Sequence, residues 1–478
     1  MPGGSSYFLV SNVMKRLTQS HRPTRDRLDE ETPVAHRTRR TPRTLRVLAA
    51  LSLTPLVLSA CSAGSLGSSD DGGDSGATTL TFLVDNAPQT VATAEALAES
   101  FNGSQSEVRV EVETRPQGGE GDNLVKTRLQ TGSMDDLFAY NSGSLFQQLA
   151  PATTLTPLTG ESFLDAVDDS FDPQVSVGDD VYGVPLGTAF GGGVLYNRAV
   201  YQQLGLQVPK TWAEFTANNE KIKAAGIAPV IQTYGETWTS QLLVLGDFHN
   251  VATANPSFAE DYTAGKAKYA TDPAAIKGFE HTQEIHDKGF VNADFASAKV
   301  EDGIRTLAAG EGAHYPLLSA NVATILSVAP EKIADIGFFA LPGDDAAGNG
   351  LTAWFPGGVY VPKSTTGEKL DAAKQFLTYL TTTDACDIQS EQSVPTGPYL
   401  VDGCDLPADV PQVTKDVSAY FDSGAQSPAL EYVSPIKGPA LEQILVEVGS
   451  GIRSAQDGAA LYDQDVQKQA QQLGLEGW

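Results

Sequence analysis

The sequence predicts an α/β protein of two lobes, joined by two chain crossings and separated by a cleft. Three observations carry this. At 478 residues the chain is too long for a single hydrophobic core. From Leu80 onward, strand-like and helix-like patterns alternate. Two Gly/Pro-rich stretches, 181–215 and 351–362, interrupt that alternation as crossings would.

The N-terminal 60 residues read as a targeting segment rather than as fold. Arg37, Arg39, Arg40, Arg43 and Arg46 precede an apolar run of 14 residues from Val47 to Ala60. That run is short for a mature membrane span. It ends in Leu58-Ser59-Ala60-Cys61, which resembles the bacterial lipobox and implies lipidation of Cys61; a plain secretory signal with a chance cysteine is the alternative. Residues 61–79 are Ser/Gly/Asp-rich and read as a tether. Net charge is −27 overall, and +6 within residues 1–60 leaves −33 for the remainder. Nucleic acid and anionic lipid would repel such a body, whereas a neutral or cationic small ligand suits it.

The first lobe follows in order. Leu80 to Val84 is an apolar strand, and Val91, Ala94, Ala98 and Phe101 recur at helical spacing. Val108, Val110 and Val112 alternate with Arg109, Glu111 and Glu113 as a second strand. A helix carrying Leu124 and Leu129, a strand from Asp136 to Tyr140 and a helix from Leu145 to Leu149 complete the alternation. Ligands of open α/β sheets bind beyond the carboxyl ends of the strands. Those positions hold Asp85 and Asn86, then Arg115 and Gln117, then Asn141 and Ser142. All are polar and can orient a hydroxyl-bearing ligand, although loops are polar in any case.

At the first crossing, Gly183-Val184-Pro185 bars a helix, and Gly187 with Gly191-Gly192-Gly193 permits backbone angles other residues resist. Val194 to Asn197 reads as a short strand, Arg198 to Leu204 as a helix ended by Gly205, and Thr211 as the N-cap of the helix from Trp212. A strand from Ala228 to Thr233 then leads into Tyr234-Gly235-Glu236-Thr237-Trp238, where the carboxyl-end rule turns Glu236 and Trp238 toward the cleft. Ile304 to Ala309 reads as a helix returning to the first lobe, Ala313 to Leu318 as a strand ending at Asn321, and Ile336 to Ala340 as another strand. In the second crossing Trp354 and Phe355 precede Pro356-Gly357-Gly358. Trp238 and Trp354, each near a glycine and at a loop, read either as ligand platforms or as ordinary packing. Thr365 and Glu368 form the pattern of a capping box before a helix with Leu370, Ala373, Leu377 and Leu380 on one face. Ser393 to Tyr399 is a loop able to reach the cleft.

The ordered pattern G-V-P … Y-N-R-x-x-Y-x-x-x-G-L-x-x-P-K-T-W-x-E-F, with the later G-G … P-K-S … A-x-x-F-L-x-x-L, resembles the extracellular solute-binding proteins of sugar-importing ABC transporters. The resemblance extends over about 80–478. It implies a two-lobe, periplasmic-binding-protein-like fold that closes on a hinge, a carbohydrate ligand, an ABC permease as partner, a monomer on the outer face of the membrane, and no cofactor or catalysis. On its pattern the N-terminal lobe comprises 80–186 and 311–356, and the C-terminal lobe 187–310 and 357–478. The strand at 313–318 would then re-enter the first lobe, bringing Asn321 to the ligand, with Trp354 and Phe355 at the second crossing.

Once Cys61 is set aside, Cys386 and Cys404 remain as an even pair for an oxidising compartment, either bridged or as two buried thiols. The chain has no Gly-x-Ser-x-Gly elbow, Walker loop or His-Glu-x-x-His. His281 and His286 lie five apart and miss the zinc-binding face of a helix, so a metal-binding lipoprotein is disfavoured. Abundant carboxylates leave a secreted carbohydrate-active hydrolase as the alternative function.

Overall fold

The computed structural model describes residues 76–478. The signal segment, the lipidation of Cys61 and most of the tether lie outside the described residues. Eleven strands organise two sheets: β1 (Thr78–Asp85), β2 (Val108–Arg115), β3 (Leu137–Tyr140), β4 (Gly183–Leu186), β5 (Phe190–Asn197), β6 (Ala228–Val230), β7 (Gly312–Leu318), β8 (Ile336–Ala340), β9 (Leu351–Trp354), β10 (Gly357–Tyr360) and β11 (Gln426–Pro428). The first sheet runs β2-β1-β3-β10-β4, and the second β11-β9-β5-β7-β6 with β8 also paired to β5. The first strand begins at Thr78, two residues inside the expected tether.

β1 pairs in parallel with β2 and β3, as the strand–helix alternation requires. Helices α1 (Pro88–Ser104) and α2 (Gly118–Thr131) make those crossovers. Leu80, Phe82 and Val84 on β1 are buried together with Leu97 and Phe101 of α1 and with Val359, Tyr360, Phe376 and Leu377 from far along the chain. Phe376 and Leu377 belong to α6 (Glu368–Leu380), which follows α3 (Trp212–Ala224), α4 (Lys277–Asp287) and α5 (Val300–Ala309).

The expected assignment of 311–356 and 357–380 is reversed in the sheets. β7 and β8 pair antiparallel with β5, and β9 pairs antiparallel with its first residues, so all three belong to the second sheet. β10 pairs with β3 and β4 in the first sheet, and α6 packs on the first core. The helix α5 does not return to the first lobe either: Ile304 and Leu307 share a core with Tyr315 and Leu317 of β7. The chain leaves the first sheet after Leu186 and returns only after Trp354. The strands between them all belong to the second sheet, although Ala189 and Ala353 pack into the first core.

The triple glycine serves packing rather than unusual backbone angles. It lies inside β5, and none of the three has a positive φ; Gly187, at φ 103°, does. A Cβ on Gly191 would approach Leu351 Cδ1 to 2.7 Å, on Gly192 Trp354 Cζ3 to 2.5 Å, and on Gly193 the Phe339 carbonyl to 2.5 Å. Bare backbone here lets β8 and β9 lay large side chains across β5.

Local signals hold at several helix ends. Thr211 and Glu214 form a reciprocal capping box, and Gly205 ends the helix Arg198–Leu204 in the left-handed region. The box expected from Thr365 and Glu368 does not form: the Thr365 hydroxyl donates instead to the Asp136 carbonyl, and Gly367 at φ 59° starts α6. Cys386 and Cys404 are bridged, with Cα atoms 5.9 Å apart and a sequence separation of 18. On the chain-entropy model such a ring contributes about 3 kcal/mol. It closes the segment that contains residues 393–399.

Candidate functional site

The carboxyl ends of β1, β2 and β3 open into a cavity of about 670 Å³. Its floor is built by Asp85, Arg115 and Asn141 with Tyr140 and Asp122. One wall is the first crossing, Leu186 to Thr188; the facing wall is Gln389 and Ser393 to Thr396. The position follows from the sheet: parallel strands end together, and the helices that follow start by turning away from the same edge.

Each floor residue is held by its own element. Asp85 accepts from the Ala87 N–H at 2.9 Å, which fixes the turn into α1. Arg115 is 6% exposed. Its Nη1 donates to the Pro116 carbonyl at 3.2 Å, its Nη2 lies 3.5 Å from the Ala139 carbonyl, and its guanidinium sits 5.5 Å from the Tyr140 ring centre. Burial beside the Asp122 carboxylate pushes the Tyr140 phenol well above its usual range. A Cβ on Gly121 would meet Arg115 Nη1 at 2.6 Å, so the glycine lets the guanidinium lie against the first turn of α2.

The walls are tied across the crossing. The Gly187 N–H donates to Gln389 Oε1 at 2.8 Å. Thr188 and Thr396 join hydroxyls at 3.1 Å, and the Ser319 hydroxyl, beyond β7, donates to the Thr396 carbonyl at 3.0 Å while accepting from the Gly191 N–H.

The structure gathers only part of the sequence-derived set at this cavity. Asp85, Arg115 and Asn141 line it; Asn86 is exposed beside it, 3.4 Å from the Gln117 amide. The five remaining candidates lie outside the lining. Glu236 accepts from the Val300 N–H at 2.6 Å and so caps α5. Trp238 packs half-buried on the second core. Asn321 donates to the Leu318 carbonyl at 3.2 Å. Trp354 is 6% exposed, runs parallel to Phe190 at 6.1 Å, and donates its indole N–H to Glu431 at 2.6 Å. Phe355 is 3% exposed and packs edge-on to Tyr432, whose hydroxyl lies 3.0 Å from the Phe355 amide nitrogen and 3.0 Å from its carbonyl oxygen.

Sequence reasoning missed Tyr140, Asp122 and Gln389. Tyr140 was legible as the last residue of its strand. Asp122 was legible as the fifth residue of the helix after β2, whose N-terminal end must face the strand ends. Gln389 carries no local signal, because it reaches the site from more than 200 residues away.

The family profile described as bacterial extracellular solute-binding protein matches residues 86–385. A multiple sugar-binding protein of Streptococcus mutans is 27% identical over 321 residues, covering 65% of this chain and 73% of its own. Among solved structures, apo RafE from Streptococcus pneumoniae superposes with a TM-score of 0.70 at 20% identity, covering 84% of this chain and 100% of that one. The solute receptor AcbH, described as exclusive for β-D-galactopyranose, gives 0.68 at 21% identity over 83% and 99%. At these identities the structures establish a shared fold.

Proposed function

The chain belongs to the bacterial extracellular solute-binding proteins, and from that premise we propose that it binds a sugar or oligosaccharide in the cleft and delivers it to an ABC permease. The observation that carries the reading is the cavity at the strand ends, floored by carboxylate, guanidinium, amide and phenol groups. A sugar presents hydroxyls that must each be hydrogen-bonded when buried, or they cost ~1–3 kcal/mol apiece. Several polar groups converging from different strands supply that. The relatives named for multiple sugars and galactopyranose point to the same ligand class. Hinge closure about the two crossings traps the ligand between lobes. The protein acts as a monomeric binder rather than as an enzyme.

The test is a thermal-shift and calorimetric screen of the exported protein against neutral mono- and oligosaccharides. A true ligand at 100 times its Kd adds about 2.7 kcal/mol of stability. Release of smaller sugars during incubation would replace the binder with a hydrolase; no shift with any carbohydrate would remove the sugar reading.

The proposal includes anchoring through a lipid on Cys61, motivated by Leu58-Ser59-Ala60-Cys61. The Cys61→Ser variant is expected in the soluble fraction of fractionated cells, with the unaltered chain in the membrane fraction. A variant that still sediments with membranes places the anchor elsewhere.

A further inference from the structure

The cleft wall at residues 393–399 is thin. Val394 and Pro395 line the ligand cavity on one side. On the other they line a second cavity of about 460 Å³, whose far walls come from Leu326, Ile333, Val410 and Pro411. Val394 also touches the edge of the second core. Space thus lies on both faces of the segment, and bonds at its top and at its two feet hold it in place.

The top reaches the second lobe. The Thr414 hydroxyl donates to the Pro395 carbonyl at 2.7 Å, and the Ser319 hydroxyl to the Thr396 carbonyl. Thr414 lies on the helix Gln412–Asp422, which buries Val413 and Val417 in the second core. Gly397 lies flat on the first crossing, where a Cβ would clash with the Ala189 carbonyl. Both feet stand on the first lobe. One is the helix Thr383–Gln392, whose Ala385 is in the first core. The other is 400–402: Leu400 is in the same core, its carbonyl accepts from the Asp168 N–H at 3.1 Å, and the Asp402 N–H donates to the Ala166 carbonyl at 2.7 Å. The Cys386–Cys404 bond ties one foot to the other. Just beyond it, residues 405–411 carry the chain back to the second lobe. A moving second lobe therefore pulls on the wall at Thr396 and again along 405–411, and the bridge keeps the feet from parting.

We infer that the Cys386–Cys404 bridge is a positioning element for ligand binding, fixing the wall at 393–399 against a hollow that would otherwise receive it. A wall ordered before the ligand arrives spares binding the entropy of ordering it. The inference rests on the carbohydrate reading above for its ligand. The experiment compares wild type with the double variant Cys386→Ser, Cys404→Ser. Each is titrated calorimetrically with the neutral sugar giving the largest thermal shift in wild type, and amide hydrogen exchange is followed without ligand. The double variant is expected to bind at least about tenfold more weakly, with faster exchange at 393–399 and unchanged exchange in β1 to β3. Some stability is lost with any such bridge. Val466→Ala, in a helical core that holds no residue of the wall, therefore serves as the control: lower melting with wild-type affinity is expected. Should the double variant not fold, wild type treated with dithiothreitol under native conditions replaces it. The reagent's two thiols supply two electrons and two protons, leaving both cysteines as thiols and the reagent as its cyclic disulfide. Wild-type affinity without the bridge would overturn the inference and leave the bond a role in stability alone. A wild-type protein that no sugar stabilises would fail the carbohydrate reading, and the brace would then stand or fall on exchange at 393–399.

Discussion

Trp354→Ala is expected to destabilise the ligand-free protein by about 3–5 kcal/mol, the cost of truncating a packed aromatic. The ring lies parallel to Phe190 and covers the bare backbone of Gly192, where even a Cβ would find Cζ3 at 2.5 Å. Its indole N–H is the partner of Glu431 at 2.6 Å. Alanine leaves a cavity over β5 and a carboxylate without its donor. The residue facing the ring across β5 is Gly192, which has no side chain to move into that space. A ligand platform behaves otherwise: its loss leaves the ligand-free fold nearly intact and weakens binding by about 1–3 kcal/mol, if the contact resembles base–aromatic stacking. Urea unfolding without ligand, with calorimetry on the folded variant, separates the two. Wild-type stability with weakened sugar binding would return Trp354 to the site.

Stability is expected to peak near pH ~6.5 and to fall on both sides. Burial drives His281 and His314 from 6.5 down to about 3. His314 is wedged between the Tyr201 hydroxyl at 2.6 Å and Asn219 Oδ1 at 2.8 Å, and His281 stacks on Trp212 at 3.5 Å. Below about pH 6.5 the unfolded chain protonates these rings and the native chain does not, so stability is lost as pH falls toward 3, by about 1.4 kcal/mol per unit for each ring. Asp247 has the opposite sign. Burial pushes it up from 3.8 to about 8, so the native state keeps a proton that the unfolded chain has lost, and stability declines as pH rises toward 8. Asp172, Asp416 and Asp463 are also raised by burial and act in the same sense as Asp247. The check is urea unfolding from pH 4 to 8 on wild type and His314→Asn. The variant should show an acid-side dependence shallower by about 1.4 kcal/mol per unit. Parallel profiles would mean that His314 titrates alike in the folded and unfolded chains.

The first lobe was legible because its signals are local. Alternating valines make β2, spaced apolar residues make α1, and the end of each strand follows directly. The same rule brought Asp85, Arg115 and Asn141 to one cavity. The second lobe was less legible because its strand partners are distant. Nothing in Ala313 to Leu318 or Leu351 to Trp354 says which sheet each joins; pairing with β5 is decided by side chains that pack over three glycines. Glu236 misled for a related reason. A carboxylate after a strand suits a cleft, yet here the unsatisfied N–H of Val300 took it.

The two crossings also limit how the lobes can move. Leu186 pairs with Gly357 at the edge of the first sheet, and Phe190 pairs with Trp354 at the start of the second. The same two chain segments therefore run antiparallel on both sides and stop pairing with each other only around residues 187–189 and 355–356, where Thr188 is bridged instead to Tyr399 and the Ala189 N–H donates to the Pro398 carbonyl. Rotating one lobe about the long axis of this ribbon would shear both ladders together. Folding it across the unpaired residues leaves both ladders whole, and Gly187, at φ 103°, already occupies backbone angles that other residues rarely adopt. The connection thus works as a door leaf with one soft direction rather than as a ball joint, and the segment 396–399, bonded to Thr188 and Ala189 at the fold, must swing with it.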